Sequence, residues 1–200
     1  MPLVFSEQNL STYKQQFFDL ITIARESERR TVKDPVDELF DAHLNVFTKS
    51  YIVSACSILE AFIQDIAFAF TAEMAKRISD ANVPRNILVW AISGETKKGD
   101  FKFEQFNIGL KKKDISDIVS GNFFKTIKVF EKIGIEIEKD SDFLRFSDSI
   151  GSAVDKRNKI VHHNDNASDM SMKDVIVMIE TFERYTRCIY DIVRRSPHLS

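Results

Sequence analysis

Ser50-Tyr51-Ile52-Val53-Ser54-Ala55-Cys56-Ser57-Ile58-Leu59-Glu60-Ala61-Phe62-Ile63 reads as a helix that is apolar on nearly every side. Such a helix belongs at the centre of a helical assembly, because a surface helix keeps a polar face. Working outward, no proline or glycine interrupts the chain between Pro35 and Pro84. Asp34-Pro35 supplies a capping carboxylate and a proline suited to the first helical position. Between them and Ser50, the positions Leu39, Phe40, His43, Leu44 and Phe47 form an amphipathic pattern, in which His43 reads as structural. The sequence thus predicts one very long helix, or two nearly continuous ones, from Pro35 to about Ser79. Glu60 stands alone in the apolar stretch, and a buried carboxylate is costly unless paired. Either it meets Arg157 or a histidine from elsewhere in the chain, or it lies on a narrow polar face with Ser57 and Gln64.

Other segments carry helical patterns that can surround this centre. Ser6 is a candidate cap for a first helix with its stripe at Leu10, Tyr13, Phe17, Leu20, Ile21 and Ala24, fading in the charged run Arg25 to Arg30. Ser141 or Asp142 can cap a penultimate helix. Ser171, with Asp174 three residues on, opens a last helix whose stripe is Val175, Met178, Ile179, Phe182, Tyr185, Cys188, Ile189 and Ile192. The connection from Asn164 to Met170 is short, so the last two helices should be antiparallel neighbours. The expected fold class is all-α, a bundle of four to five framework helices.

Residues 80–139 read differently. They hold five of the six glycines, Gly94, Gly99, Gly109, Gly121 and Gly134. Pro84 opens a short apolar piece, Ile87 to Ile92, with the only tryptophan. A polar loop from Ser93 to Asp100 precedes Phe101, Phe103 and Phe106, in strand or short helix. Asp114 is the expected cap of a helix through Ile118 to Phe130. The stretch reads as a less regular glycine-containing insertion in a single domain spanning 1–200. Lys111-Lys112-Lys113 is either a solvated run or a phosphate-steering patch. None of the glycines has the spacing or flanking strand of a phosphate-binding fingerprint.

Composition sets further bounds. A chain of 200 residues can bury a core without disulfides or metals. The net charge of -2 leaves no large basic surface, so any nucleic-acid contact must be local. Seventeen phenylalanines fit a thick helical core or an apolar face for self-association. Cys56 and Cys188 sit in apolar helical patterns and read as two buried thiols in a reducing compartment. No metal-ligand cluster, cofactor fingerprint, leader or uninterrupted apolar span is evident. The expectation is a cytoplasmic protein with no membrane, metal or cofactor partner.

The chemistry-bearing side chains gather in Asp155-Lys156-Arg157-Asn158-Lys159-Ile160-Val161-His162-His163-Asn164-Asp165, with two of the four histidines. Helical spacing from Phe143 through Phe146, Ile150 and Val154 puts Arg157, then Val161, on the stripe that faces other protein. A solvated arginine belongs on the opposite face. A helix may also simply end in cations, which suit its C-terminal dipole. Asn158 and His162 are four apart and share a face. Arg157 and His162 are roughly 140° apart at about 100° per residue. They cannot point one way unless the helix ends between them or a second surface completes the site.

Arg157-Asn158-x-x-x-His162, at the end of the penultimate helix, resembles the R-x4–6-H motif of the HEPN superfamily (higher eukaryotes and prokaryotes nucleotide-binding domains), in which a polar residue follows the arginine. Ser50 to Phe62 is similar to the central helix of the RiboL-PSP-HEPN and MAE-type bacterial branches. The resemblance covers 35–80 and 140–196, and does not clearly reach the insertion. It implies a metal-independent endoribonuclease, in a toxin-like or antiphage-defence setting. The site would be composite, built from the motif helices of a homodimer, with RNA as substrate and an antitoxin or defence-system protein as a further partner.

Residue chemistry fits that implication. RNA cleavage without metal uses the ribose 2′-OH as nucleophile and leaves a 2′,3′-cyclic phosphate and a 5′-OH; DNA lacks the nucleophile. His162 can move protons near neutral pH. Arg157 offers a donor fork to the phosphate, and Asn158 can orient the phosphate or the histidine. His163 gives an equally allowed spacing, though His162 shares the Asn158 face; His163 and Glu60 are candidate supporting residues. A subgroup paired with nucleotidyltransferases carries a tyrosine two residues after the histidine. Asn164 or Asp165 stands there, which argues against that regulation. Two rival classes remain: a HEPN-type domain that binds RNA or nucleotide without cutting, and a helical dimerisation module.

Overall fold

A computed structural model describes residues 5–35, 37–93 and 103–199. The loop expected after Ser93, with Gly94 and Gly99, and Phe101 lie outside the described residues. Among those described there are eight α-helices and no strand, so the chain is all-α as expected.

α1 spans Glu7–Thr31, and Ser6 caps it in a reciprocal box with Asn9. It does not fade at Arg25. Glu26 pairs with Arg29 and Arg30 at 2.7 and 2.9 Å, one turn away on the same helix. Ser27 is buried, sharing a 2.7 Å hydrogen bond with Tyr51 of the next helix. The charged run is thus the outer face of a helix that continues to pack.

α2 spans Glu38–Asp80, 43 residues. Asp34-Pro35 does not start it; both residues lie outside the helix. Asp37 is the cap, its carboxylate accepting the Leu39 N–H at 3.2 Å. Exposed His43 has non-helical angles, φ -121° and ψ 17°, so two nearly continuous helices are joined there. From Tyr51 onward α2 is the central element, with Ile52, Leu59, Phe62, Ile63 and Ile66 fully buried. It is long and apolar enough by composition to span a membrane, but half of its most apolar window is buried inside the fold. Its place in the core accounts for that apolarity.

α3 spans Arg85–Ser93, α4 Lys112–Ser116 and α5 Phe123–Lys132. Asp114 does not cap a helix to Phe130. It lies inside α4 and accepts the Lys111 N–H at 2.7 Å. The chain is out of helix over 117–122, and Asn122 caps α5 through the Lys125 N–H at 3.1 Å. Phe103 and Phe106 lie in irregular chain, with one isolated bridge between Pro84 and Gln105. Lys111, Lys112 and Lys113 are exposed, and Lys112 pairs with Asp65 of α2 at 2.5 Å.

α6 spans Ser141–Leu144, α7 Ser147–His163 and α8 Met172–Arg194. The cap before α6 is Asp140, not Ser141 or Asp142; its carboxylate accepts two N–H groups at 3.0 and 3.1 Å. A break at Arg145-Phe146 separates α6 from α7. Ser171 and Asp174 form the expected capping box. α1 packs against α8 and α2, and α2 against α8 and α7. Phe17, Phe62, Phe143, Phe182 and Tyr185 fill the space between them. Cys56 is buried, whereas Cys188 is only partly covered, at the margin of a stripe whose centre Tyr185 and Ile189 occupy.

Candidate active site at the end of α7

α7 carries its buried face on Ile150, Ala153, Val154 and Ile160. Arg157 lies within that sector. Its guanidinium Nη2 is 3.9 Å from Oε2 of Glu60, with the two side chains 25% and 26% exposed. Nη1 donates to the Asn158 side-chain oxygen at 3.1 Å. Nε is buried and has no hydrogen-bond partner among the described residues. Val161 lies on the same stripe but is 49% exposed. The inward-facing stripe therefore runs past the protein that this chain supplies to cover it.

Glu60 joins the site to the 80–139 stretch. Its Oε1 accepts the Gly121 N–H at 3.2 Å. A Cβ at Gly121 would lie 3.4 Å from Glu60 Cγ and 3.4 Å from Val154 Cγ2, in ordinary van der Waals contact with both side chains. Cys56, one turn before Glu60, is no nucleophile. Burial, reinforced by the Glu60 charge and opposed by the Arg157 charge, pushes its thiol up to about 12.

The two histidines separate. α7 persists through His163, so no helix end falls between Arg157 and His162. His162 is exposed and follows Asn158 by one turn. His163 is also exposed and lines a hollow with Lys156, Lys159, Asp165, Ser168 and Asp169, on the other side of the helix.

That second side anchors the motif's end. Asn164 adopts a left-handed conformation, φ 51° and ψ 37°, and its N–H donates to the Lys159 carbonyl, closing the helix. Lys49 of α2 donates to the Asn164 side chain at 3.2 Å. Lys156, its side chain only 11% exposed, pairs with Asp165 at 2.5 Å and also with Asp169. Burial works to lower the Lys156 pKa, but its hydrogen bonds to the two carboxylates win and hold it above the ordinary lysine range. Those bonds hold Asp165 and Asp169 below the usual carboxylate range. Sequence reasoning missed Gly121, Lys49, Lys156 and Asp169 as neighbours of the motif. Their partners depend on how loops and α2 approach α7, which no spacing in the sequence records.

Among the described residues no group of three His, Cys, Asp or Glu side chains is placed to hold a metal ion. The donors available to an anion are the Arg157 guanidinium, the Asn158 amide and the His162 imidazole. Because α7 is unbroken, Arg157 and His162 do not converge within one chain, and such a set can hold a phosphate and move a proton beside it only where a second surface completes the site.

A family model described as RiboL-PSP-HEPN matches residues 10–195. The chain belongs to this family of the HEPN superfamily. The match takes in α1 and the 80–139 stretch, which the sequence resemblance did not clearly reach. No curated protein and no solved structure matches the chain.

Proposed function

We propose that this HEPN-family chain is a metal-independent endoribonuclease. The observation that carries the reading is the half-buried Arg157, set on an inward-facing stripe with its Nε unpartnered and Val161 beyond it uncovered. A second copy of the chain would cover that face, bringing two Arg157–Asn158–His162 sets into one composite cleft. In that cleft Arg157 binds the scissile phosphate as charge develops on it. Asn158, already bonded to the guanidinium, fixes the fork relative to His162. His162 moves the proton between the ribose 2′-OH and the leaving 5′ oxygen. A cyclic phosphate and a 5′-OH result. His163 lines the hollow on the Lys156 side, and the proton transfer is assigned to His162. A cytoplasmic toxin or antiphage-defence role follows the family implication, with a partner protein restraining the activity.

The test is cleavage of mixed cellular RNA by purified protein with EDTA present, beside Arg157→Ala and His162→Ala of verified fold. Cutting that survives EDTA and falls by about a hundredfold or more in both variants is the expected result. Absence of cutting by a folded wild-type dimer on a broad RNA pool would favour RNA binding without cleavage, read from retention of a 2′-O-methyl oligonucleotide.

A further inference from the structure

Arg157, Asn158 and His162 stand on one helix, yet two contacts of the candidate site come from elsewhere. Glu60 reaches Arg157 from α2, and Gly121 reaches Glu60 from the connection between α4 and α5. The distances are unequal in an informative way. Glu60 Oε1 lies 3.2 Å from the Gly121 nitrogen, a hydrogen bond, whereas Oε2 lies 3.9 Å from Arg157 Nη2, beyond hydrogen-bond reach. A carboxylate free to move would close on the guanidinium in a two-point pair and occupy the fork that a phosphate needs. The Gly121 N–H draws one oxygen away and holds the carboxylate beside the fork.

We propose that Glu60 is a positioning residue for Arg157, restrained by the Gly121 N–H so that the guanidinium is oriented but left open to an anion. The inference rests on Arg157 being the phosphate-binding group. It gives the 80–139 stretch a defined task, since its Ser120–Asn122 connection is the part that touches the site through Glu60. Glu60 neither meets substrate nor moves a proton; it acts through Arg157.

The experiment compares wild type with Glu60→Gln and Glu60→Ala, each checked by circular dichroism and melting. The readout is the backbone and arginine side-chain ¹H–¹⁵N spectrum. The Arg157 Nε–H signal is identified by its loss in Arg157→Lys. Glutamine keeps a carbonyl acceptor for Gly121 and removes the charge, so the Arg157 signal should shift while the Gly121 amide stays. Alanine removes both, so both signals should shift. An Arg157 signal unmoved in Glu60→Gln overturns the proposal; a Gly121 amide unmoved in Glu60→Ala overturns the restraint. On RNA, Glu60→Gln should lower turnover about tenfold and leave KM within about twofold. A raised KM with unchanged turnover would also overturn the positioning role. Wild-type protein that cuts no RNA would count against the ribonuclease reading alone, because the spectral comparison stands without activity.

Discussion

The framework helices and the 80–139 stretch solve the problem of apolar residues in opposite ways. In α1, α2 and α8 most large side chains turn inward, and Leu10, Phe17, Phe62, Phe182 and Tyr185 are fully buried, although Phe18, Ile23 and Val177 stay exposed. In α3 six apolar residues follow one another from Ile87 to Ile92, and none is buried. Trp90 is 65% exposed and Phe103 98%. The framework has a long central helix with partners on several sides, so most of its apolar stripes find a cover. In α3 Leu88 and Val89 are partly covered, while Ile87, Trp90 and Ile92 stay largely exposed. The candidate site stands where these two regimes meet, with Arg157 on a framework helix and Gly121 on the α4–α5 connection within the 80–139 stretch.

That contrast is open to measurement. The largest effect should appear in native-state hydrogen exchange. Amides of α2 from Leu59 to Ile66 should exchange at the global unfolding limit, at least about a thousandfold more slowly than those of α3. Equal protection would mean that α3 is covered in solution, and the contrast would fall. Phe182→Ala should cost about 3–5 kcal/mol by denaturant unfolding, the range for truncating a fully buried aromatic. Trp90→Ala should change stability by no more than about 0.5 kcal/mol, as an exposed substitution does.

Lys156→Ala tests the anchoring of the motif's end. It should lower Tm by about 2–5 °C, through loss of a covered side chain that two carboxylates share. The pH dependence has a definite sign. Asp165 and Asp169 have lowered pKa values, so their contribution is present above the ordinary carboxylate value. It is lost as pH falls through the lowered folded values. Lys156 is raised, so its contribution is complete below the ordinary lysine value and disappears as pH rises through the folded one. The difference in Tm between wild type and Lys156→Ala should thus narrow at both strongly acid and strongly alkaline pH. A difference constant across that range would assign the effect to packing alone.

Local signals in the sequence succeeded where local physics governs. The caps at Ser6 and Ser171 act within one turn, and both form as expected, Ser6 with the addition of a reciprocal bond from Asn9. The central helix was legible because an apolar surface on every side has only one place to go. Boundaries failed where two local signals competed. Asp34-Pro35 and Asp37 both offer a helix start, and the chain uses Asp37. The single helix expected from Asp114 to Phe130 is broken over 117–122, so Asp114 lies inside the short α4 and Asn122 caps α5.

For the candidate site, the sequence by itself determined the residue types, their spacing and the fact that Arg157 faces inward, because all three follow from one helix's period. It left Glu60 with two readings. Tertiary structure alone decided that Glu60 approaches Arg157, that Gly121 holds its other oxygen, and that Lys49 of α2 reaches Asn164. These contacts join residues far apart in the chain. Their geometry is set by how α2, α7 and the connecting loops pack, and packing is a property of the assembled core rather than of any segment within it.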